Sequence, residues 1–215
     1  MTLPPWLLRA LLVAVGLGGW FGTQAWIARR PFPAGRIGDR LLDLTGPWNR
    51  RLRESPRRAD GLLVATSAVI DLLAIFVLAR GVFGSSIRPL LGLALLFALR
   101  QTCQALCALP APEGMIWRRP GFPSLLVTYG TSTDLFFSGH TALAVYGSLE
   151  LARWGGAAGA ILGAAIVLVE AATVLVLRAH YTMDVYAGAV TAFWVYGLAG
   201  SLAPGVDRFL SPLAG

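Results

Sequence analysis

The chain has two histidines, His140 and His180, and the second is followed four residues later by Asp184. At that spacing a carboxylate and an imidazole share one face of a helix. An imidazole that donates one ring N–H to a carboxylate presents its other nitrogen as a nucleophile or base. The first histidine ends the run Ser138-Gly139-His140, read as a loop-to-helix junction. Unpaired backbone N–H groups and the helix dipole favour an anion at such a junction, and Gly139 lets a phosphate approach the backbone closely. These residue types point to phosphoryl chemistry. In such chemistry His180, polarised by Asp184, presents a nucleophilic nitrogen, and His140 can serve as general acid to a leaving oxygen and general base to an incoming one. Ser138 and Gly139 are expected to help bind the phosphate.

For these side chains to meet, the elements that carry them must end in one place. The chain is 56% hydrophobic and 13% charged over 215 residues, with a mean hydropathy of +0.65, outside the range of an ordinary soluble domain. Crossing a bilayer takes about 20 apolar residues, and residues 6–28, 61–79, 89–110, 139–154, 157–177 and 182–204 qualify. The expected fold is all-α, a polytopic six-transmembrane-helix bundle forming a single membrane domain over residues 1–215. The first stretch is too long for a signal-peptide core and has no small-residue cleavage pattern, so it is read as a retained helix. Six spans place connections one to two, three to four and five to six on the same membrane face. His140 opens span four just after the second of these connections and His180 closes span five just before the third. Parity therefore brings the two histidines together.

The net charge is +7 and every one of the 18 basic residues is Arg. Nine of them fall between Arg29 and Arg58, a segment broken by Pro31, Pro33, Gly35, Gly46, Pro47 and Pro56. Between the arginines, Ile37, Leu41, Leu44, Trp48 and Leu52 follow helical spacing, as suits a segment lying in the membrane interface; a solvated loop is the alternative. Beside a membrane the partner of such charge is anionic lipid headgroups, not nucleic acid. A second long connection, about residues 111–137, holds Pro112, Pro120, Pro123, Gly130 and Thr131-Ser132-Thr133-Asp134 and leads into Ser138. Its length marks it as functional. Gly155, Gly156, Gly159 and Gly163 open the fifth span, the last two as a small-xxx-small pair for close helix packing.

Charges inside spans are costly and read as functional. Arg100 is the leading phosphate ligand, because its planar fork suits phosphate. Arg178, two residues before His180, either binds phosphate too or marks the interface. Asp71 and Glu170 either support the site or pair with Arg100. Glu150 and Arg153 read as a solvated helix end near the opposite face. Cys103 and Cys107 lie four apart on one apolar helix, which does not suit a disulfide, and with no further ligands beside them they read as packing residues. Neither a metal nor a cofactor is expected.

Phe136-Phe137-Ser138-Gly139-His140-Thr141 and His180-Tyr181-Thr182-Met183-Asp184-Val185 resemble the two signature motifs of the sphingomyelin-synthase-related branch of the type 2 phosphatidic acid phosphatase superfamily. Arg100, followed by Leu109-Pro110-Ala111-Pro112, is similar to that branch's arginine motif, and the likeness runs from about residue 28. The resemblance implies six helices, a phosphohistidine at His180, Asp184 as its orienting group and His140 as acid and base. Two phosphate-binding motifs of the wider superfamily are vacant here: position 174 is Val, and Arg119-Pro120 is a fragment without the Lys its motif requires. The implied activity is a membrane lipid phosphotransferase that moves the headgroup of a phospholipid donor to a lipid hydroxyl. With water as acceptor the same chemistry makes a lipid phosphate phosphatase; a non-catalytic phospholipid-binding or transport protein is the remaining reading. Sidedness is contested. Odd-numbered connections carry 12 arginines and the termini and even-numbered connections five, which by the positive-inside rule puts the site in the cytoplasm. The resemblance implies an extracytoplasmic site in a plasma or inner membrane, and that expectation is followed.

Overall fold

The computed structural model describes residues 4–30, 34–121, 124, 126–127, 129 and 134–211. Among these, seven helices and no strand are found: α1 Pro5–Ile27, α2 Arg40–Leu44, α3 Gly46–Arg53, α4 Pro56–Phe83, α5 Arg88–Leu106, α6 Gly139–Val176 and α7 Thr182–Leu210. Pro31, Pro33, Pro123, Gly130 and Thr131-Ser132-Thr133, which the sequence assigns to connections, lie outside the described residues. Five helices, α1, α4, α5, α6 and α7, are long and apolar enough to cross a membrane. Many large apolar side chains face outward, among them Val15, Leu72, Ile161, Leu168 and Phe193, as lipid-facing surfaces require.

Helix starts follow proline. Pro5, Pro47, Pro56 and Pro89 stand in the first turns of α1, α3, α4 and α5, where the missing N–H has no intrahelical partner to lose. α4 therefore begins at Pro56 and runs to Phe83, longer at both ends than the apolar stretch 61–79. α5 stops at Leu106, short of residue 110, and continues extended. Pro110 and Pro112 disfavour helix in the residues before them. The Arg30 guanidinium donates to the Gln104 and Ala105 carbonyls at that end, which satisfies groups the helix leaves open.

At 38 residues α6 would span about 57 Å if straight, nearly twice a hydrocarbon core of roughly 30 Å. It is not straight. Gly156 takes φ 57°, ψ −137°, backbone that suits glycine, and the halves on either side fold back on each other. Ser148 Oγ donates to the Gly163 carbonyl at 3.0 Å, two groups that a continuous helix would hold about 22 Å apart. A side chain at Gly163 would collide with Ser148, and one at Gly159 with the Leu151 carbonyl, so the small pair packs as expected. The reversal brings the end of α6 back to its beginning, next to the start of α7.

The core lies among α4, α5, both halves of α6 and α7, with Leu63, Ile70, Val77, Leu96, Leu143, Tyr146, Val174 and Val195 buried in it. At the end of the bundle away from the histidines, Asp207 accepts from the Ile87 amide at 2.9 Å and Ser86 Oγ at 2.6 Å, and pairs with Arg9 at 3.4 Å. Glu150 corrects the sequence reading. It is buried, not solvated, and pairs with buried Arg88 at 2.6 Å; Arg153 is exposed. Arg88 also stacks on Tyr196, 4.7 Å from its ring centre. An arginine counted as a connection charge is thus held inside the bundle.

Candidate active site

Three local features build the site end. The Ser138 hydroxyl caps α6, accepting from the Thr141 amide at 3.3 Å. The Asp184 carboxylate caps α7, its Oδ2 accepting from the Tyr181 amide at 2.8 Å. The Ser138 amide donates to the Asp184 carbonyl at 3.0 Å and fastens the two helix starts together. His140, in the first turn of α6, and His180, two residues before α7, line one cavity of about 50 Å³ with Arg100 and Gly139. Trp20 of α1, Ile70 of α4, Phe97 of α5 and Trp117 of the long connection are among its wall residues.

His180 Nδ1 lies 2.9 Å from the Leu135 carbonyl and 3.7 Å from Asp184 Oδ2. A carbonyl only accepts, so Nδ1 carries the proton and Nε2 holds the lone pair when the ring is neutral. The carbonyl, not Asp184, makes the orienting hydrogen bond. Asp184 Oδ2 lies 3.7 Å from the ring nitrogen, beyond hydrogen-bond reach, and its Oδ1 is buried without a hydrogen-bond partner among the described residues. His140 packs edge-on against Trp117, centroids 5.3 Å apart, and its Nε2 is likewise buried and unpartnered among the described residues. A buried imidazole nitrogen with no partner is a group that a bound ligand can satisfy by a hydrogen bond.

Arg100 is buried and lies against Gly139, where any side chain would collide with it. Its Nε donates to the Phe137 carbonyl at 3.2 Å and its Nη2 to the Asp134 carbonyl at 3.3 Å, with Asp134 Oδ2 at 3.5 Å. The ion-pair partner of Arg100 is thus Asp134, not Asp71 or Glu170. Asp134 is held in turn by Gln24 Nε2 at 2.5 Å and, through its carbonyl, by Gln104 Nε2 at 2.6 Å. Gln24 Oε1 accepts from Gln101 at 3.1 Å, which fixes the amide so that its NH₂ faces the carboxylate. A charge in a bilayer is tolerable only when paired and hydrogen-bonded, and this chain of amides does both.

The other candidates separate. Arg178 does not line the histidine cavity. It is the left-handed residue (φ 54°) of a helix-ending motif closed by the bonds from Arg178 N to Leu175 O at 3.0 Å and Ala179 N to Val174 O at 2.9 Å. Its guanidinium faces the opposite way, donating to the Glu113 carbonyl at 2.6 Å and the Leu42 carbonyl at 3.4 Å. Asp71 accepts from the Leu126 amide at 3.0 Å and so shapes the loop that supplies cavity residues. Glu170 is buried, accepts from the Thr66 hydroxyl, and does not line the cavity. Sequence reasoning missed Asp134, Gln24 and Gln104. The available signal was the polar amides within otherwise apolar helices, which in a membrane protein need internal partners.

Fold and site together define a polytopic helical membrane protein with a paired-histidine cavity beside a buried arginine. The chain belongs to the AtPDCT1/2 family, whose model matches residues 39–201; this is a sphingomyelin-synthase-related family of phosphatidylcholine:diacylglycerol cholinephosphotransferases. No curated protein and no solved structure matches the chain. The match begins at Asp39, so α1, which supplies Trp20 and Gln24, lies outside it.

Removing the Gln24 amide leaves the Asp134 carboxylate more dependent on Arg100 and draws the guanidinium from the cavity. Gln24→Ala is expected to lower kcat/KM for the phospholipid by about tenfold, the scale of a charge-assisted bond worth roughly 1.5 kcal/mol, mostly through KM. In an Asp134→Asn background the same change should have little further effect. Additive losses in steady-state kinetics of the four proteins would break the proposed chain from Gln24 to Arg100.

Proposed function

We propose that this protein is a phospholipid headgroup transferase working by double displacement at His180, with phosphatidylcholine as donor and diacylglycerol as acceptor. The observation that carries the reading is the shared cavity, in which His180, with Nδ1 held by a carbonyl, lies with His140 and Arg100. Arg100 binds the phosphate. His180 Nε2 attacks phosphorus, the bond to the diacylglycerol oxygen breaks, and protonated His140 gives its proton to that oxygen. A phosphocholine-bearing histidine results. Neutral His140 then takes the proton of an incoming diacylglycerol hydroxyl, whose oxygen attacks phosphorus as the N–P bond breaks, and His180 is regenerated.

A lipid acceptor is favoured over water because Trp20, Ile70, Phe97 and Leu143 wall the cavity with apolar surface. The family supports the same choice, being one of cholinephosphotransferases. In this reading α6 crosses the membrane twice, once on each side of Gly156, giving six crossings within one membrane domain, and the site faces the extracytoplasmic side.

With headgroup-labelled phosphatidylcholine and diacylglycerol of different acyl chains in vesicles, the reconstituted protein should move label into phosphatidylcholine that bears the acceptor's chains. Arg100→Lys should cut transfer at least about tenfold without lowering the melting temperature in detergent, because a point charge does not replace a planar fork. Free phosphocholine formed equally fast without acceptor would assign a hydrolase, and full activity in Arg100→Lys would remove Arg100 from the site. Single cysteines at exposed Arg51 and Arg208, in a background lacking Cys103 and Cys107, test the crossings. They should label from opposite faces with an impermeant maleimide. Labelling from one face would make the number of crossings odd.

A further inference from the structure

The arginine-rich segment that the reaction does not use is clamped to the residues flanking His180. Leu42 of α2 is buried against Leu135 and Tyr181, and the Leu135 carbonyl is the group that holds His180 Nδ1. Asp39 caps α2 through the Leu42 amide at 3.1 Å and also accepts from the Thr182 amide at 2.6 Å and its hydroxyl at 2.7 Å. Partial burial raises the Asp39 pKa, but these hydrogen bonds outweigh it and hold the carboxyl below its usual range. Arg178 reaches the Leu42 carbonyl. Asn49 of α3 donates to the Gly114 carbonyl at 3.1 Å and the Val176 carbonyl at 2.9 Å. One side of α2 and α3 is thus bonded to the chain immediately before, beside and after His180.

The other side is built for a membrane surface. Leu41, Leu44 and Trp48 are more than half exposed. Arg40, Arg50, Arg51, Arg53, Arg57 and Arg58 are exposed around them, against the exposed acids Asp43 and Glu54. Apolar side chains at the acyl boundary with guanidinium groups among headgroups are the arrangement of an interfacial helix on anionic lipid.

We propose that α2 and α3 sense the anionic lipid of their own bilayer, and that docking on such a surface tightens the clamp around His180. The inference rests on the reading of His180 as the reacting residue. Lipid charge shifts the site only in so far as anionic lipid prefers the clamped arrangement, and the bonds of Asp39 and Leu42 are the means by which it would do so.

The test is hydrogen exchange by mass spectrometry on the full chain in nanodiscs of phosphatidylcholine alone or with roughly a third phosphatidylglycerol. Anionic discs should slow exchange several-fold over residues 39–53 and also over 180–184, and about 0.5 M salt should cancel both effects. The triple change Arg50→Gln, Arg51→Gln and Arg53→Gln should abolish both responses while leaving exchange in neutral discs unchanged. Asp39→Asn should keep the response of α3 and lose that at 180–184. Equal exchange in the two lipids, a response that survives the triple change, or slowing confined to 39–53 would overturn the proposal. The readout involves no turnover, so its failure is separate from failure of the transferase reading, which the transfer assay decides.

Discussion

The bond from the Ser138 amide to the Asp184 carbonyl, 3.0 Å long, is the constraint on which the rest depends. It joins the first residues of α6 to the first turn of α7, although the whole of α6 lies between them in sequence. Satisfying it requires the reversal at Gly156, close packing of the two halves through Gly159 and Gly163, and a tight helix ending at Arg178. Once these hold, the two histidines have no course but to share a cavity. The same bond occupies the Ser138 amide, one of the N–H groups that a helix start otherwise leaves open.

The second constraint is charge in an apolar solvent. Arg100 lines the histidine cavity, and the protein has to keep that guanidinium buried. Asp134 and three amides do so without a tight bidentate pair: the closest approach of the two charges is 3.5 Å, while Gln24 and Gln104 carry part of the carboxylate's and carbonyl's bonding. A buried pair with ideal geometry would resist opening by several kcal/mol; in the proposed reaction the looser, shared arrangement leaves the arginine able to turn to a phosphate. The opposite end of the bundle behaves differently. There Arg88 and Glu150 approach to 2.6 Å, and Asp207 binds the α4–α5 turn, which makes that end a fixed base.

Hydropathy made the apolar stretches legible, and the cavity shared by His140 and His180 agrees with the parity argument, which counted residues 139–154 and 157–177 as separate spans where the structure has one helix reversed at Gly156. The Gly159 and Gly163 packing was equally readable. Other features depend on tertiary geometry. Arg178 adjoins His180 in sequence but occupies a left-handed position that turns its side chain to the far side. The four-residue spacing of His180 and Asp184 suggested a ring-to-carboxylate bond. Helix α7, however, starts between them at Thr182, so the carboxylate caps the helix and the Leu135 carbonyl takes the ring. Glu150 looked solvated because its partner, Arg88, lies 62 positions away, and Asp134 looked like loop polarity because its partners are on α1 and α5.

The most direct measurement of the central claim, that His180 is the nucleophile and His140 the proton carrier, is to trap the covalent adduct from a labelled donor with a good leaving group, such as a nitrophenyl phosphoester, and map it by mass spectrometry. Such a donor needs no proton on its leaving oxygen. His140→Ala is therefore expected to accumulate an acid-labile phosphohistidine at position 180, Asp184→Asn to form it slowly, and His180→Ala to form none. An adduct on His140, or one that persists in His180→Ala, would contradict the account.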